Sequence, residues 1–354
     1  MSILVLSSQA SNTGSTLRAE YIYKYLKKLD KKTQYIKPIF KSMPFMLDFI
    51  FSFIYNFFKL MNNHYDYVII VKPYPNTVIP ALMLKNRGAK IIIDIDDMDY
   101  GYRKGFLSKI VRWSQNKMIN FANVLTTHNV KLQQLIVSEH PEYENNIYLL
   151  KQCVDMEIFN TKNINKEKVK VIRSSFENKK LLLYMAHLNI ASYLEDILES
   201  FKAVHDSAVL LVAGGGPLLH HYVSIVKQLG LTKRVIFLGQ LKQEVLAEYI
   251  GAADLCLVYY KNIPVNSYRA SMKLREYLAM GKNVVANAVG ELKDFKKYVI
   301  LSSSDKRNFS SKINKHLNLK DKTNKKGHIF IAATYDWEKE IKAFYKFING
   351  GLNK

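Results

Sequence analysis

The sequence predicts an α/β protein of two doubly wound parallel domains, and three observations predict it. Short apolar runs alternate with amphipathic segments of helical length along the chain, the pattern of strand–helix–strand units. The strand candidates are apolar nearly throughout rather than alternating, as expected of strands covered by helices on both faces. The chain has 354 residues, above the usual size for one core, and its pattern is interrupted by a polar, lysine-rich stretch over 160–173.

In the first half the strand candidates are Ile3–Ser7, Tyr67–Val71, Lys90–Ile95 and Val124–Thr127. Between them Thr16–Leu29, Pro80–Lys85 and Leu107–Phe121 read as helices. The second half repeats the design, with strands near Lys180–Met185, Ala208–Ala213, Arg234–Leu238, Leu255–Tyr259 and Asn283–Asn287. Its helices are Leu194–Val204, Leu218–Leu229, Gln243–Ile250 and Met272–Met280. A closing helix, Trp337–Ile348, follows Asp336, a suitable N-cap residue. The expected domains are therefore 1–165, 166–335 and a tail helix from 336 to 354.

Composition narrows the function classes. Hydrophobic residues make up 48% and charged residues 23%, which is globular rather than disordered. Only two cysteines occur, Cys153 and Cys256, and neither belongs to a C-x-x-C pair, which argues for a reducing compartment and against a disulfide framework or a cysteine zinc site. The first residues lack a basic n-region and run directly into a strand, so no signal peptide is expected. The net charge of +22 suits nucleic acid, anionic lipid or a simple solvated lysine surface. The lysines are dispersed and no zinc-finger or RNP-like motif accompanies them, so no nucleic-acid partner is expected.

One segment departs from the soluble pattern. Phe45–Met61 holds 13 apolar residues in 17, six of them phenylalanine, and is short for a membrane span of about 20 residues. Asp48, Ser52, Asn56 and Lys59 fall on one stripe of a helix that is otherwise apolar. Lys24, Lys27, Lys28, Lys31, Lys32, Lys37 and Lys41 precede it. That pairing fits an anionic membrane surface, which places the protein in the cytoplasm, peripheral on the inner face of the membrane. The competing reading is a helix buried between the sheet and its neighbours.

Two constellations carry chemistry. Val212-Ala213-Gly214-Gly215-Gly216-Pro217 lies between a strand and a helix, where glycine permits close approach of backbone to a ligand and the helix start favours anions. Further on, Asn266 to Val285 reads as loop, helix, glycine stop and strand. Ser271 caps that helix, so its first turn offers backbone donors beside the charges of Arg269 and Lys273, a pyrophosphate site. Glu276 follows, placed to accept the hydroxyls of a ribose; an ordinary surface pair of Lys273 with Glu276 is the alternative.

The succession of the glycine turn, Leu229-Gly230-Leu231, Val235–Gly239, Ala253-Asp254-Leu255 and Ser271–Lys282 resembles retaining glycosyltransferases of family four, which have the GT-B fold. The similarity covers most of residues 180–292, with a fainter echo at Val154–Phe159 and in the tail helix. The resemblance implies two Rossmann-like domains facing a cleft, with the C-terminal helix crossing back to the first. It implies an acceptor-binding first domain and a second domain that binds a nucleotide diphosphate sugar. His187, Gly214, Gly215, Gly216, Gly239, Ser271, Met272, Lys273, Leu274 and Glu276 are then donor-binding, with Glu276 as the later glutamate of the family's E-x7-E motif. The chain departs from the pattern at Tyr268, where the earlier glutamate would stand, and at His187-Leu188-Asn189, where arginine and lysine often occur.

Ile91–Asp99 ends a strand with four acids, and by the same resemblance Asp96 approaches the reacting sugar. Asp96, Asp97, Arg269 and Lys273 are the expected catalytic residues. The rival readings are a D-x-D metal site at Asp94 and Asp96, or a cluster that caps the next segment. Ser8–Thr16 is small and polar at the first strand's carboxyl end, with Gly14 the residue closest to a ligand. The expected activity is transfer of a sugar, with retention, to a lipid-linked or envelope glycan acceptor. No cofactor and no obligatory metal are implied. A sugar-nucleotide epimerase of the same architecture and a non-catalytic nucleotide-sugar-binding protein are the alternatives.

Overall fold

The computed structural model describes residues 1–8, 13–37, 45–176, 179–317 and 323–350, with the side chains at 45, 46 and 48 outside that description. Residues 9–12 of the first strand–helix turn and Lys41 of the lysine cluster lie outside the described residues. The chain forms two units. One holds Met1–Gln152, the segment Tyr268–Ala270 and the tail from Trp337; the other holds Cys153–Ser267 and Ser271–Asp336.

The first unit has strands β1 (Ile3–Ser7), β2 (Gln34–Ile36), β3 (Tyr67–Val71), β4 (Lys90–Ile95), β5 (Val124–Thr127) and β6 (Ile147–Leu149). They pair in parallel in the order β2-β1-β3-β4-β5-β6. Helices α1 (Gly14–Leu29), α2 (Phe45–Leu60), α3 (Pro75–Lys85), α4 (Gly105–Ile119) and α5 (Val130–Glu139) connect or flank them. The strand order reverses at β1 and β3, the point where doubly wound sheets bind ligands beyond their carboxyl ends. Every residue of β1 and β3 is buried, which explains their unbroken apolar sequence.

The second unit has β7 (Lys180–Met185), β8 (Ala208–Ala213), β9 (Val235–Gly239), β10 (Leu255–Val258), β11 (Val284–Asn287) and β12 (Ile300–Ser302). Their order is β12-β11-β10-β7-β8-β9, again all parallel, and it reverses between β7 and β10. Its helices are α6 (Lys166–Ser174), α7 (Leu194–Phe201), α8 (Leu219–Gln228), α9 (Gln243–Ala252), α10 (Met272–Ala279), α11 (Lys306–His316) and α12 (Lys325–Thr334). The chain enters this unit at Cys153, before the polar 160–173 stretch, because Val154 and Phe159 bury themselves in its core. Val154 N–H donates to Tyr335 O at 2.9 Å and closes that end. The final helix, α13 (Trp337–Gly350), belongs to the first unit.

A buried arginine ties the first unit together. Arg18 of α1 is 1% exposed and forks onto Asp94 of β4 at 2.7 and 2.8 Å, while also donating to Leu150 O at 2.7 Å. Its guanidinium stacks on Trp337 of α13, 5.4 Å from the ring centre. Truncating Arg18 would strand the Asp94 carboxylate in the core, a loss of about 3–5 kcal/mol.

Helix α3 begins at Pro75 rather than Pro80, and both prolines are accommodated for different reasons. Pro75 takes the first helical position, where its missing N–H is unneeded. Pro80 cannot donate to Asn76 O one turn earlier. That carbonyl instead accepts from Asn56 Nδ2 of α2 at 2.9 Å. Asn56 and Ser52 are buried, while Lys59 of the same stripe is exposed. Leu47, Ile50, Ile54 and Phe58 point outward and are exposed.

Candidate functional site

In the second unit the turns that follow β7, β8 and β9 interlock. Gly214 and Gly216 have φ of 137° and 156°. A Cβ on Gly214 would collide with Ala186 O, and one on Gly216 would lie 2.5 Å from Leu188 O. Glycine is therefore required here by neighbouring backbone, whatever ligand the turn meets. Leu188 N–H donates to Gly215 O at 2.9 Å and Gly214 N–H to Gly239 O at 2.8 Å, which fixes the three turns against one another. His187 stands in this cluster, and burial holds its pKa below the usual value.

Helix α10 starts beside the strand-order reversal. Ser271 Oγ accepts from Leu274 N–H at 3.2 Å, as an N-cap should. Ser271 N–H in turn donates to Glu291, whose carboxylate is forked by Arg275 at 2.9 Å on each arm. Arg275 is 1% exposed and lies 4.5 Å from the Tyr335 ring centre, so it builds the cap and does not face a ligand. Leu274 likewise points into the core, leaving only its backbone at the helix start, whereas Met272 is half-buried.

Lys273 sits over Tyr184, 4.4 Å from the ring centre and 3.3 Å from its hydroxyl. Glu276 lies one turn beyond, 5% exposed. Among the described residues no hydrogen bond reaches its carboxylate. Burial pushes its pKa up to about 8, Lys273 opposes the rise and Asp155 adds to it. A nearly enclosed carboxylate without a donor is costly unless a ligand supplies one.

In the first unit the acids after β4 take distinct places. Asp94 accepts from Arg18 on both oxygens and from the Thr126 hydroxyl at 2.5 Å. Asp96 keeps Oδ1 buried and without a hydrogen bond. Burial raises its pKa to about 6, with Lys72 opposing and Asp94 adding. Asp97 accepts from its neighbour Met98 N–H at 2.8 Å and from the Tyr102 hydroxyl at 3.2 Å. Its pKa is raised by burial, against the pull of Lys72 and Arg269. Arg269 stands 5.8 Å over the Tyr102 ring, within the segment that groups with the first unit.

Lys72 organises these acids and escaped the reading of the sequence. It directly follows β3 with φ of 68°, a left-handed backbone that a lysine rarely adopts. Its amine lies 2.7 Å from Asp99 and 3.9 Å from Asp96. Burial alone would lower its pKa, but Asp99, then Asp96, outweigh it and hold the amine charged. Tyr74 donates a short hydrogen bond to the same Asp99. A charged residue directly after an apolar strand at the order reversal was the available signal. Glu291 was missed as well, since only the fold brings it under Ser271.

The expected residues thus gather in two groups. Asp96, Asp97 and Arg269 meet in the first unit, while His187, the glycine turn, Ser271, Lys273 and Glu276 line strand ends or α10 in the second. Arg269 faces Asp97, and Lys273 faces Tyr184. Gly14 opens α1 and is exposed, with Thr13 as the N-cap. Tyr268 offers its carbonyl to Asn129 Nδ2 at 2.7 Å.

Residues 165–337 match the family described as glycosyl transferases group 1. A stretch of 116 residues is 28% identical to N-acetyl-alpha-D-glucosaminyl L-malate synthase of Bacillus anthracis, covering 32% of this chain and 29% of that relative. The fold is similar to Anabaena HepE in complex with UDP-glucose, with a TM-score of 0.78, 13% identity and 99% of each chain covered. It is also similar to sucrose-phosphate synthase from Thermosynechococcus elongatus, at a TM-score of 0.76 and 14% identity over 99% and 98% of the chains. WaaG, a glycosyltransferase involved in lipopolysaccharide biosynthesis, aligns at a TM-score of 0.71 and 14% identity over 99% and 100%. The two parallel six-stranded sheets with flanking helices are those of GT-B glycosyltransferases.

Proposed function

We infer that this chain, which carries a glycosyl transferases group 1 domain at residues 165–337, transfers a sugar from a nucleotide diphosphate donor with retention at the anomeric carbon. The observation that carries the reading is Glu276: a buried carboxylate without a hydrogen-bond donor, beside Lys273 and above a capped helix start. A ribose diol supplies two donors to such a carboxylate, and a diphosphate supplies the charge that Lys273 and the α10 amides meet. The neighbour complexed with UDP-glucose makes uridine diphosphate sugars the first donors to test.

Developing charge on the leaving diphosphate is stabilised by Lys273 and the α10 amides, which is electrostatic preorganisation. Asp96 and Asp97 serve the acceptor side; Asp96 is the carboxylate toward the reacting sugar, kept near its ionisation point by burial against Lys72. The acceptor is lipid-linked or an envelope glycan intermediate, and the protein works as a peripheral protein on the cytoplasmic face of the membrane, with α2 docked there. The exposed apolar row of α2 supports that part.

The test incubates the protein with a panel of sugar nucleotides and a membrane extract, with and without a chelator, and reads products by mass spectrometry. An acceptor gaining one sugar as free nucleotide appears, chelator present, supports the reading. A donor that only isomerises without acceptor makes the protein an epimerase, and binding without turnover makes it a carrier.

A further inference from the structure

Helix α4 faces the wrong way for a helix in water. Its buried residues are Gln115, Met118 and Ile119. Its outward side carries Phe106, Leu107, Ile110 and Trp113 at 76, 60, 43 and 65% exposure. Positions 106, 110 and 113 recur every three or four residues and form one line along the helix. Lys117 continues that line, and Lys104 and Lys109 stand near it; none of the three has an ion pair among the described residues. Arg112 is turned aside to Glu139 at 2.7 Å. The helix contains no acidic residue. An outward aromatic and aliphatic row with cations and no acids matches an anionic lipid surface, where apolar burial and headgroup attraction add. A water-facing role leaves the row unexplained, since such patches mark interaction surfaces.

We propose that α4 docks on an anionic bilayer, giving the first unit a second contact beside α2. The two helices both pack against α3, whose Ile79 is itself exposed. No helix among the described residues is long and apolar enough to cross a membrane, so both lie in the interface. The proposal shares its lipid partner with the α2 reading, but its residues and its test are separate.

Trp113 makes the test direct, because the only other tryptophan, Trp337, is fully buried. The full chain is mixed with vesicles of phosphatidylcholine alone or with phosphatidylglycerol, some with brominated acyl chains, and tryptophan emission is recorded. A blue shift and bromine quenching with anionic vesicles, reversed by high salt and absent in Trp113→Phe, is the expected result. Phe106→Ser, with Trp113 kept as reporter, lowers the vesicle partition coefficient by about tenfold and leaves sugar-nucleotide binding unchanged. Sedimentation with vesicles without quenching of Trp113 overturns the α4 proposal and leaves α2 as the anchor. Emission that ignores vesicles while the protein stays in solution overturns both contacts. Glycosyl transfer to a water-soluble acceptor, measured on the same preparation, stands apart from either outcome.

Discussion

Replacing Glu276 by glutamine removes one charge and keeps the shape, so it isolates what the carboxylate contributes. Its loss should weaken sugar-nucleotide binding by roughly 1.5–3 kcal/mol, the worth of hydrogen bonds to a charged group, or about tenfold to a hundredfold and more in Kd. The structure adds a pH signature. Burial holds the unliganded group near 8, so it is largely protonated below neutrality and must ionise to accept two hydroxyls. Affinity for UDP-glucose should therefore rise as pH increases from about 6 to 9, and Glu276→Gln should flatten that rise. The stability of the unliganded protein runs the other way. A carboxyl raised in the fold from its ordinary 4.5 stabilises most below that value, and the contribution is lost as pH rises through about 8. Glu276→Gln should accordingly melt higher than the parent at pH 9, which also proves it folded. Calorimetric affinity unchanged by the substitution, or a pH profile identical in both proteins, would falsify the assignment.

Neutralising Lys273 should weaken a nucleoside diphosphate far more than the nucleoside, because only the former carries the charge it meets. Equal losses for both ligands mean that Lys273 acts through folding. Arg269 faces Asp97 and Tyr102, so Arg269→Met should act mainly on kcat and leave that ratio unchanged. Turnover should survive a chelator, because phosphate charge is assigned to side chains and amides. Abolition by chelator with rescue by manganese returns a metal to the mechanism.

What could be read from the chain was whatever depends on neighbours in sequence. The cap at Ser271, the glycine turn and the apolar strands follow local rules, and each forms where those rules place it. Edge strands β2, β6 and β12 have three residues each, too few for any periodicity. Helices α6 and α11 are charged and only partly covered, so their pattern is faint. The polar stripe of α2 was visible, but the inward place of Asn56 was not, because it depends on the N–H that Pro80 lacks one helix away. Lys72 and Glu291 stayed hidden for the same reason: tertiary contacts assign their roles, through a left-handed backbone in one case and a distant helix cap in the other.

The central claim is that the sugar moves to an acceptor with its anomeric configuration kept. Proton NMR of the first product formed, observed before any mutarotation of released sugar, measures this directly. With an α-linked donor such as UDP-glucose, the account predicts an anomeric coupling constant typical of an α-glycoside in the acceptor-linked product. A β-linked product, or loss of donor with no sugar appearing on acceptor, contradicts it.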